Sequence, residues 1–340
     1  MKQKRILLLF LLAVTACTNQ ESIYKASLTP TRIDSLTTNA EIEQYIGDCD
    51  SMYRKFTLQK VQDIVCHGCD TITNIDSLAH RLNINFSWQK ADLDNNGYTD
   101  LLATGTNKTY IPYGCSFIHP QDFNAFVIMN FGTGKTTLHD LTDGLFMSLA
   151  ARIEYDSLQP LVGVYTPKLN TFLKRNRRPE TKSLLTYKFG DFIEYNPAPK
   201  NHTIEKLEYV SMSFAYYYKL SVNGNGNTTA IAVMDIYTQS WDKGLMPEGT
   251  YTTNMCEKEF QEIKGLMNYM DFPNLKDNYA VSWSCAPEVY YSVTYDNGKK
   301  KRIYDNGAQG TYGLRILNKK LSDLWTNQQW KLTTRKASNH

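Results

Sequence analysis

Apolar and polar residues alternate at steps of two through most of this chain and switch to steps of three and four in only a few places. Steps of two place one face of a strand against a core, and steps of three and four do the same for a helix. The alternation of Phe86, Trp88 and their polar neighbours predicts a half-buried strand over 85–91, and a further strand opens at 101–103. The run 123–131 is apolar throughout and predicts a strand buried on both faces. Strands are expected at 145–147, at 161–165, and at 184–189 and 192–195 around Gly190-Asp191. The second half repeats the style with 204–210, 214–222 and 230–237, the last two joined through Asn223-Gly224-Asn225-Gly226. A hairpin follows at 289–295 and 299–304 around Asp296-Asn297-Gly298, a sequence that supplies the positive φ of a tight turn.

Helical spacing predicts four helices. In 39–46, Ile42, Tyr45 and Ile46 share a face, with Asn39 as cap and Gly47 as stop. In 76–82 the pair is Leu78 and Leu82. In 256–270 the stripe is Phe260, Ile263, Met267 and Met270, and near the end it is Leu314, Leu317, Leu321 and Leu324. The segment 56–65 fits strand and helix equally. The pattern predicts an α+β chain of two domains, each a mainly antiparallel sheet with a few helices, over 39–196 and 203–335. The proline-rich stretch 197–202 is the expected linker, because proline denies a sheet its hydrogen bonds.

Composition refines the N-terminus most. Lys2, Lys4 and Arg5 precede an apolar run over 6–14, too short to cross a bilayer, which needs about 20 residues. This is the anatomy of an export signal over 1–16. Val14-Thr15-Ala16-Cys17 resembles the lipobox of bacterial lipoproteins, which implies that Cys17 is lipidated, becomes the mature N-terminus and anchors the chain to the membrane. Residues 17–38 then read as the lipidated cysteine and a polar tether. The implied address is the cell envelope, with the outer membrane as the expected leaflet and an envelope protein or glycan as the expected partner. Loss of 1–16 removes three basic residues and no acidic one, leaving 34 of each sign. That balance gives nucleic acid no electrostatic footprint.

The richest local chemistry is Asp92-Leu93-Asp94-Asn95-Asn96-Gly97-Tyr98-Thr99-Asp100. Oxygen ligands fall at Asp92, Asp94, Asn96 and Asp100, with the Tyr98 carbonyl between the last two, which suits calcium. Position 12 of an EF-hand would be a bidentate glutamate and here is Ala103. The pattern instead resembles the calcium loops of integrin-type β-propeller repeats, in a single copy where a propeller needs several. The plain alternative is a hairpin turn wrapped in solvated Asx residues.

Other motifs are weaker. Cys66-His67-Gly68-Cys69 has the spacing of thiol exchange, but without the βαβ context of thioredoxins it reads first as a structural disulfide or buried thiols at Cys66 and Cys69. Six cysteines remain beyond Cys17: Cys49, Cys66, Cys69, Cys115, Cys256 and Cys285, an even number in each half. Gly132-Thr133-Gly134-Lys135-Thr136 lacks the first glycine of a phosphate loop, since Met129 stands there, so no nucleotide is expected. Lys174, Arg175, Arg177 and Arg178 read as a solvated loop. None of the six histidines sits in a nucleophile-elbow or H-E-x-x-H setting, and no catalytic set is nominated.

From about 204 to 330 the chain resembles an uncharacterised bacterial domain-of-unknown-function family of exported proteins and lipoproteins. The residues that carry this are Tyr218-Lys219-Leu220-Ser221-Val222 before the glycine turn, Gly249-Thr250-Tyr251, Phe272-Pro273-Asn274-Leu275-Lys276-Asp277-Asn278-Tyr279, and Tyr295-Asp296-Asn297-Gly298. The family's usual C-x-x-x-C-P cysteines are replaced by Ser211 and Ala215. The resemblance implies a fold and a location. The expected role is a non-catalytic envelope binding or scaffolding protein with a structural calcium loop. The alternatives are an envelope hydrolase acting on glycan or peptide and, more weakly, a thiol-redox accessory.

Overall fold

The computed structural model describes residues 28–63, 72–73, 75–107, 123–142, 149–170, 179–213, 217–233, 249–281 and 286–335. In chain order the elements are α1 (Arg32–Ser35), α2 (Asn39–Cys49), β1 (Phe56–Leu58), β2 (Ile72–Thr73), α3 (Ile75–Arg81), β3 (Trp88–Ala91), β4 (Asp100–Asn107), β5 (Phe123–Asn130) and β6 (Thr136–Asp140). There follow β7 (Ala150–Asp156), β8 (Gln159–Thr166), β9 (Leu169–Asn170), β10 (Thr181–Lys188) and β11 (Asp191–Glu194). The remainder is β12 (Ile204–Met212), β13 (Tyr217–Asn223), β14 (Asn227–Val233), β15 (Gly249–Asn254), α4 (Glu257–Tyr269), β16 (Asn278–Ala280), β17 (Glu288–Tyr295), β18 (Lys299–Asn306), α5 (Tyr312–Asn327) and β19 (Lys331–Arg335). The class is α+β, and every pairing but β16 with β18 is antiparallel.

Two larger sheets and the short pair β2-β9 serve the first half among the described residues. One runs β1-β4-β5-β6 with β3 also paired to β4, and the other runs β11-β10-β8-β7. The double-sided burial expected of 123–131 has a simple cause. Phe126 and Ile128 point at α1 and α2 with Ile33, Ile42 and Ile46, while Ala125, Val127 and Met129 point at Val162, Leu185 and Phe192 of the second sheet. Strand β4 does the same, with Leu101 and Ala103 on one side and Leu102 on the other. Gly105 sits in β4 because β1 crosses so close that a Cβ there would lie 2.1 Å from the Thr57 carbonyl oxygen.

The described strands beyond 203 form one eight-stranded sheet, ordered β16-β18-β17-β12-β13-β14-β15-β19. Its inner face (Leu207, Tyr209, Leu220, Tyr291, Ile303) is covered by Phe260, Ile263 and Met267 of α4 and by Leu314, Leu317, Leu321 and Leu324 of α5. Buried tyrosines keep their hydroxyls satisfied under α5: Tyr209 donates to Asn318 Oδ1 at 2.5 Å, and Tyr218 bonds Ser322 at 2.6 Å. The connecting residues lie against the end of α4, where Asn196 and His202 bond Tyr269 and Asn268.

Several boundaries differ from expectation. The helix expected at 39–46 continues to Cys49 and is capped by Thr38, whose side chain accepts from Glu41 N–H in a capping box. Gly47 lies inside it, because a Cβ there would crowd the Arg54 Cα at 3.1 Å. The ambiguous 56–65 opens as β1. The strand expected at 230–237 begins at Asn227. Strand β19 was not foreseen, since Lys331-Leu332-Thr333-Thr334-Arg335 holds one apolar residue. The expected strand at 145–147, the basic residues 174–178, and Cys17, Cys66 and Cys69 lie outside the described residues. Cys49 and Cys256 are free thiols.

Candidate metal centre

Strands β3 and β4 pair with Ala91 opposite Asp100, so residues 92–99 are the loop of a hairpin. Asn95 and Gly97 take positive φ, and side-chain acceptors draw the turn inward. Asp92 accepts from Asn96 N–H at 3.0 Å and Gly97 N–H at 2.9 Å, and Asp94 accepts from Asn96 N–H at 3.2 Å. This Asx geometry folds the loop around its own carboxylates.

Asp100 enters from the start of β4 and is fully buried. Its two oxygens accept from Leu93 N–H and Asn130 N–H, each at 2.7 Å. Ligand oxygens of Asp92, Asp94 and Asp100 all fall within 4.8 Å of one another. Two oxygens on one calcium ion, at about 2.4 Å each, cannot be farther apart than roughly 5 Å, so the three carboxylates fit that ion. Asn96 stands beside them but serves the loop: its amide nitrogen donates to Asp94 and to the Asn130 carbonyl, and its oxygen accepts from Tyr98 N–H. The Tyr98 ring packs over Gly132 in the β5–β6 turn, the stretch that mimics a phosphate loop in sequence.

Burial pushes the Asp100 carboxyl up to about 7, with Asp94 and Asp92 adding to the rise, and only the backbone donors of Asn130 and Leu93 pull against it. Asp94 is raised as well, by burial first and also by the Asp92 charge. The cluster carries more negative charge than its donors balance, and a dication relieves such repulsion. The N-terminal segment closes over the loop: Thr29 N–H donates to the Gly97 carbonyl, Thr99 Oγ1 donates to Asp34 at 2.6 Å, and Asn130 Nδ2 donates to Thr31. A groove of about 440 Å³ leads from Asp94 and Asn95 past Tyr187 to Asn196 and Tyr269.

A second polar cluster had no signal in the sequence. His139 on β6 bonds Thr137 through Nε2 at 2.9 Å and Asp191 of β11 through Nδ1 at 2.9 Å. Hydroxyl, imidazole and carboxylate in this order match the roles of nucleophile, base and orienter. The imidazole is wedged between the rings of Tyr187 and Phe192, at 5.2 and 5.9 Å, and ties one sheet to the other. That packing makes it an inter-sheet clasp. Burial raises the Asp191 carboxyl, but the His139 hydrogen bond and charge, with Phe192 N–H, outweigh it and hold the group below its usual range. A depressed carboxyl stabilises the fold above its unfolded value, about 3.9, and that contribution is lost as pH falls through the folded one. Asp191→Ala is therefore expected to destabilise the fold at pH 7 by roughly 1 kcal/mol, read from urea unfolding. The gap to the wild type narrows as pH falls below about 4, and a gap independent of pH excludes the clasp.

Ser211 lies on the buried inner face of β12. No curated protein and no solved structure matches the chain. A family model does: the domain of unknown function DUF6438 is found at residues 216–325, which take in β13 to β18, α4 and most of α5 and lie outside the Asp92–Asp100 loop.

Proposed function

We propose that this is a lipid-anchored envelope protein that binds or scaffolds rather than catalyses, with calcium held by Asp92, Asp94 and Asp100 as a structural clip. The observation that carries the reading is the convergence of three carboxylates, one fully buried, on a space of calcium dimensions. Asn96 and the Tyr98 carbonyl, expected ligands from their spacing, complete the loop. The ion holds β3 and β4 in register and fixes the surface on which residues 29–36 rest, so that the tether, shorter than the expected 17–38 because Ile33 and Leu36 are buried in the core, leaves the body at a set point. Such a clip suits a chain that works outside the cell, where calcium sites of this class bind at about 10⁻⁴–10⁻³ M.

Calorimetric titration of the full chain with calcium chloride tests the clip. One equivalent is expected to bind, and none to bind Asp94→Ala. Heat of binding that survives Asp94→Ala places the ion elsewhere. The anchor has its own test: labelled palmitate is expected in the envelope fraction of cells making the wild type and to disappear with Cys17→Ser. Label retained by Cys17→Ser rejects the lipobox.

A further inference from the structure

The outer face of the eight-stranded sheet, opposite α4 and α5, is built in rows that the strand register defines. One row runs Tyr304, Tyr290, Val210, Lys219 across β18, β17, β12 and β13. The row on one side holds Asn306, Glu288, Met212 and Tyr217, and the row on the other holds Arg302, Ser292 and Glu208. Tyr290 and Tyr217 are 38% and 36% exposed, high for such large rings. Tyr290 and Tyr304 lie against each other, centroids 4.7 Å apart. Their tips are anchored, since Tyr290 Oη donates to Glu288 at 2.7 Å and Asn306 Nδ2 donates to Tyr304 Oη at 3.2 Å. Rings held at both ends bind without first paying ordering entropy.

Charge on this face is lopsided. Lys206 and Lys219 share the single carboxylate of Glu208, while Lys300 and Arg302 stand exposed on β18. Among the residues that the register places on this face of β18, β17, β12 and β13, four cations thus stand against Glu208 and Glu288.

We infer that this face binds an acidic polysaccharide. The aromatic row offers flat apolar surface to sugar C–H faces, and Glu288, Asn306 and the tyrosine hydroxyls offer hydrogen bonds to sugar hydroxyls. The excess cations on β18, Arg302 one row from the tyrosines and Lys300 two rows away, follow one another at a two-residue step of roughly 6.6 Å and complement carboxylates repeated along an extended chain. A protein partner is a poorer fit, since only Val210 and Met212 give the patch an aliphatic core. Single-stranded nucleic acid is poorer too, because Tyr290 and Tyr304 each spend one ring face on the other and Glu288 stands beside them. The inference names a partner for the binding role proposed above and rests on it. Loop and face belong to different sheets, so calcium titration and polysaccharide binding fail separately.

Affinity gel electrophoresis of the full chain through gels containing polygalacturonate, dextran or poly(dT) tests it. Polygalacturonate is expected to retard the wild type and neutral dextran is not. Tyr290→Ala weakens retardation about tenfold and Arg302→Gln about threefold, with further loss on adding salt. Lys258→Gln, on α4 away from the face, leaves it unchanged. Absence of retardation by polygalacturonate, equal retardation by dextran, stronger retardation by poly(dT), or indifference to Arg302→Gln overturns the inference. Arg302 is exposed, so that variant reads the face without risk to the core.

Discussion

Chelation of calcium at pH 7 is expected to lower the melting temperature of the full chain by roughly 3–6 °C, and Asp94→Ala protein to melt at the chelated value with calcium or without it. An ion bound at about 10⁻⁴ M and supplied at a few millimolar stabilises the folded state by roughly 2 kcal/mol, which sets the size of the shift for a chain of this length. The sharper test is pH. Asp100 is held at about 7 when folded, above an unfolded value near 3.9. A carboxyl raised by folding gives stability that is fully present below the unfolded value and is lost as pH rises through the folded one. Ion-free protein should therefore lose stability between about pH 4 and pH 8, with a ceiling of roughly 4 kcal/mol. Calcium at the proposed site is expected to reverse this, because it would bind the ionised Asp100. Melting curves with and without chelator from pH 5 to pH 8 should diverge as pH rises. Parallel curves mean that Asp100 faces no ion.

The loop was legible because all its carboxylates lie within nine consecutive residues, and a hairpin brings them together without help from the rest of the chain. The hairpin at Asp296-Asn297-Gly298 and the α4 and α5 stripes were legible for the same local reason. Boundaries were less so. Thr38-Asn39-Ala40-Glu41 contains the S/T-x-x-E spacing of a capping box, so Thr38 outcompetes Asn39 as cap on a signal present in the sequence. Gly47 misled because its small size serves contact with Arg54, not helix termination. The His139–Asp191 pair, 52 residues apart, had no sequence signature at all, and neither did the tyrosine rows of the outer face, which exist only through strand register. Periodicity says which face a residue occupies. It does not say which strands are neighbours.

The loss expected from Glu194→Ala, roughly 3 kcal/mol by urea unfolding, follows from a contact of that non-local kind. Helix α5 begins with Thr311 capping Leu314 N–H at 3.0 Å, and two further N–H groups of its first turn need acceptors. Glu194, at the end of β11, supplies both, accepting from Tyr312 at 2.7 Å and Gly313 at 3.0 Å. A carboxylate at this end also meets the positive pole of the helix. The surroundings hold the geometry. Tyr312 Oη donates to the Leu141 carbonyl, Arg315 lies 3.9 Å over the Tyr312 ring, and a Cβ at Gly313 would meet Met270 and Ile193 at 3.2 and 3.3 Å. Glu194→Ala leaves two partly buried donors without acceptors and removes the charge. Glu194→Gln keeps one oxygen and should lose about 1 kcal/mol. The ordering wild type, Gln, Ala is the diagnostic, because side-chain volume is nearly equal in the first two and only the acceptor count and charge change. Equal midpoints for all three would mean that water serves the first turn of α5 equally well, and that the Glu194 contact adds nothing to the join between the sheet ending at Glu194 and the sheet covered by α5.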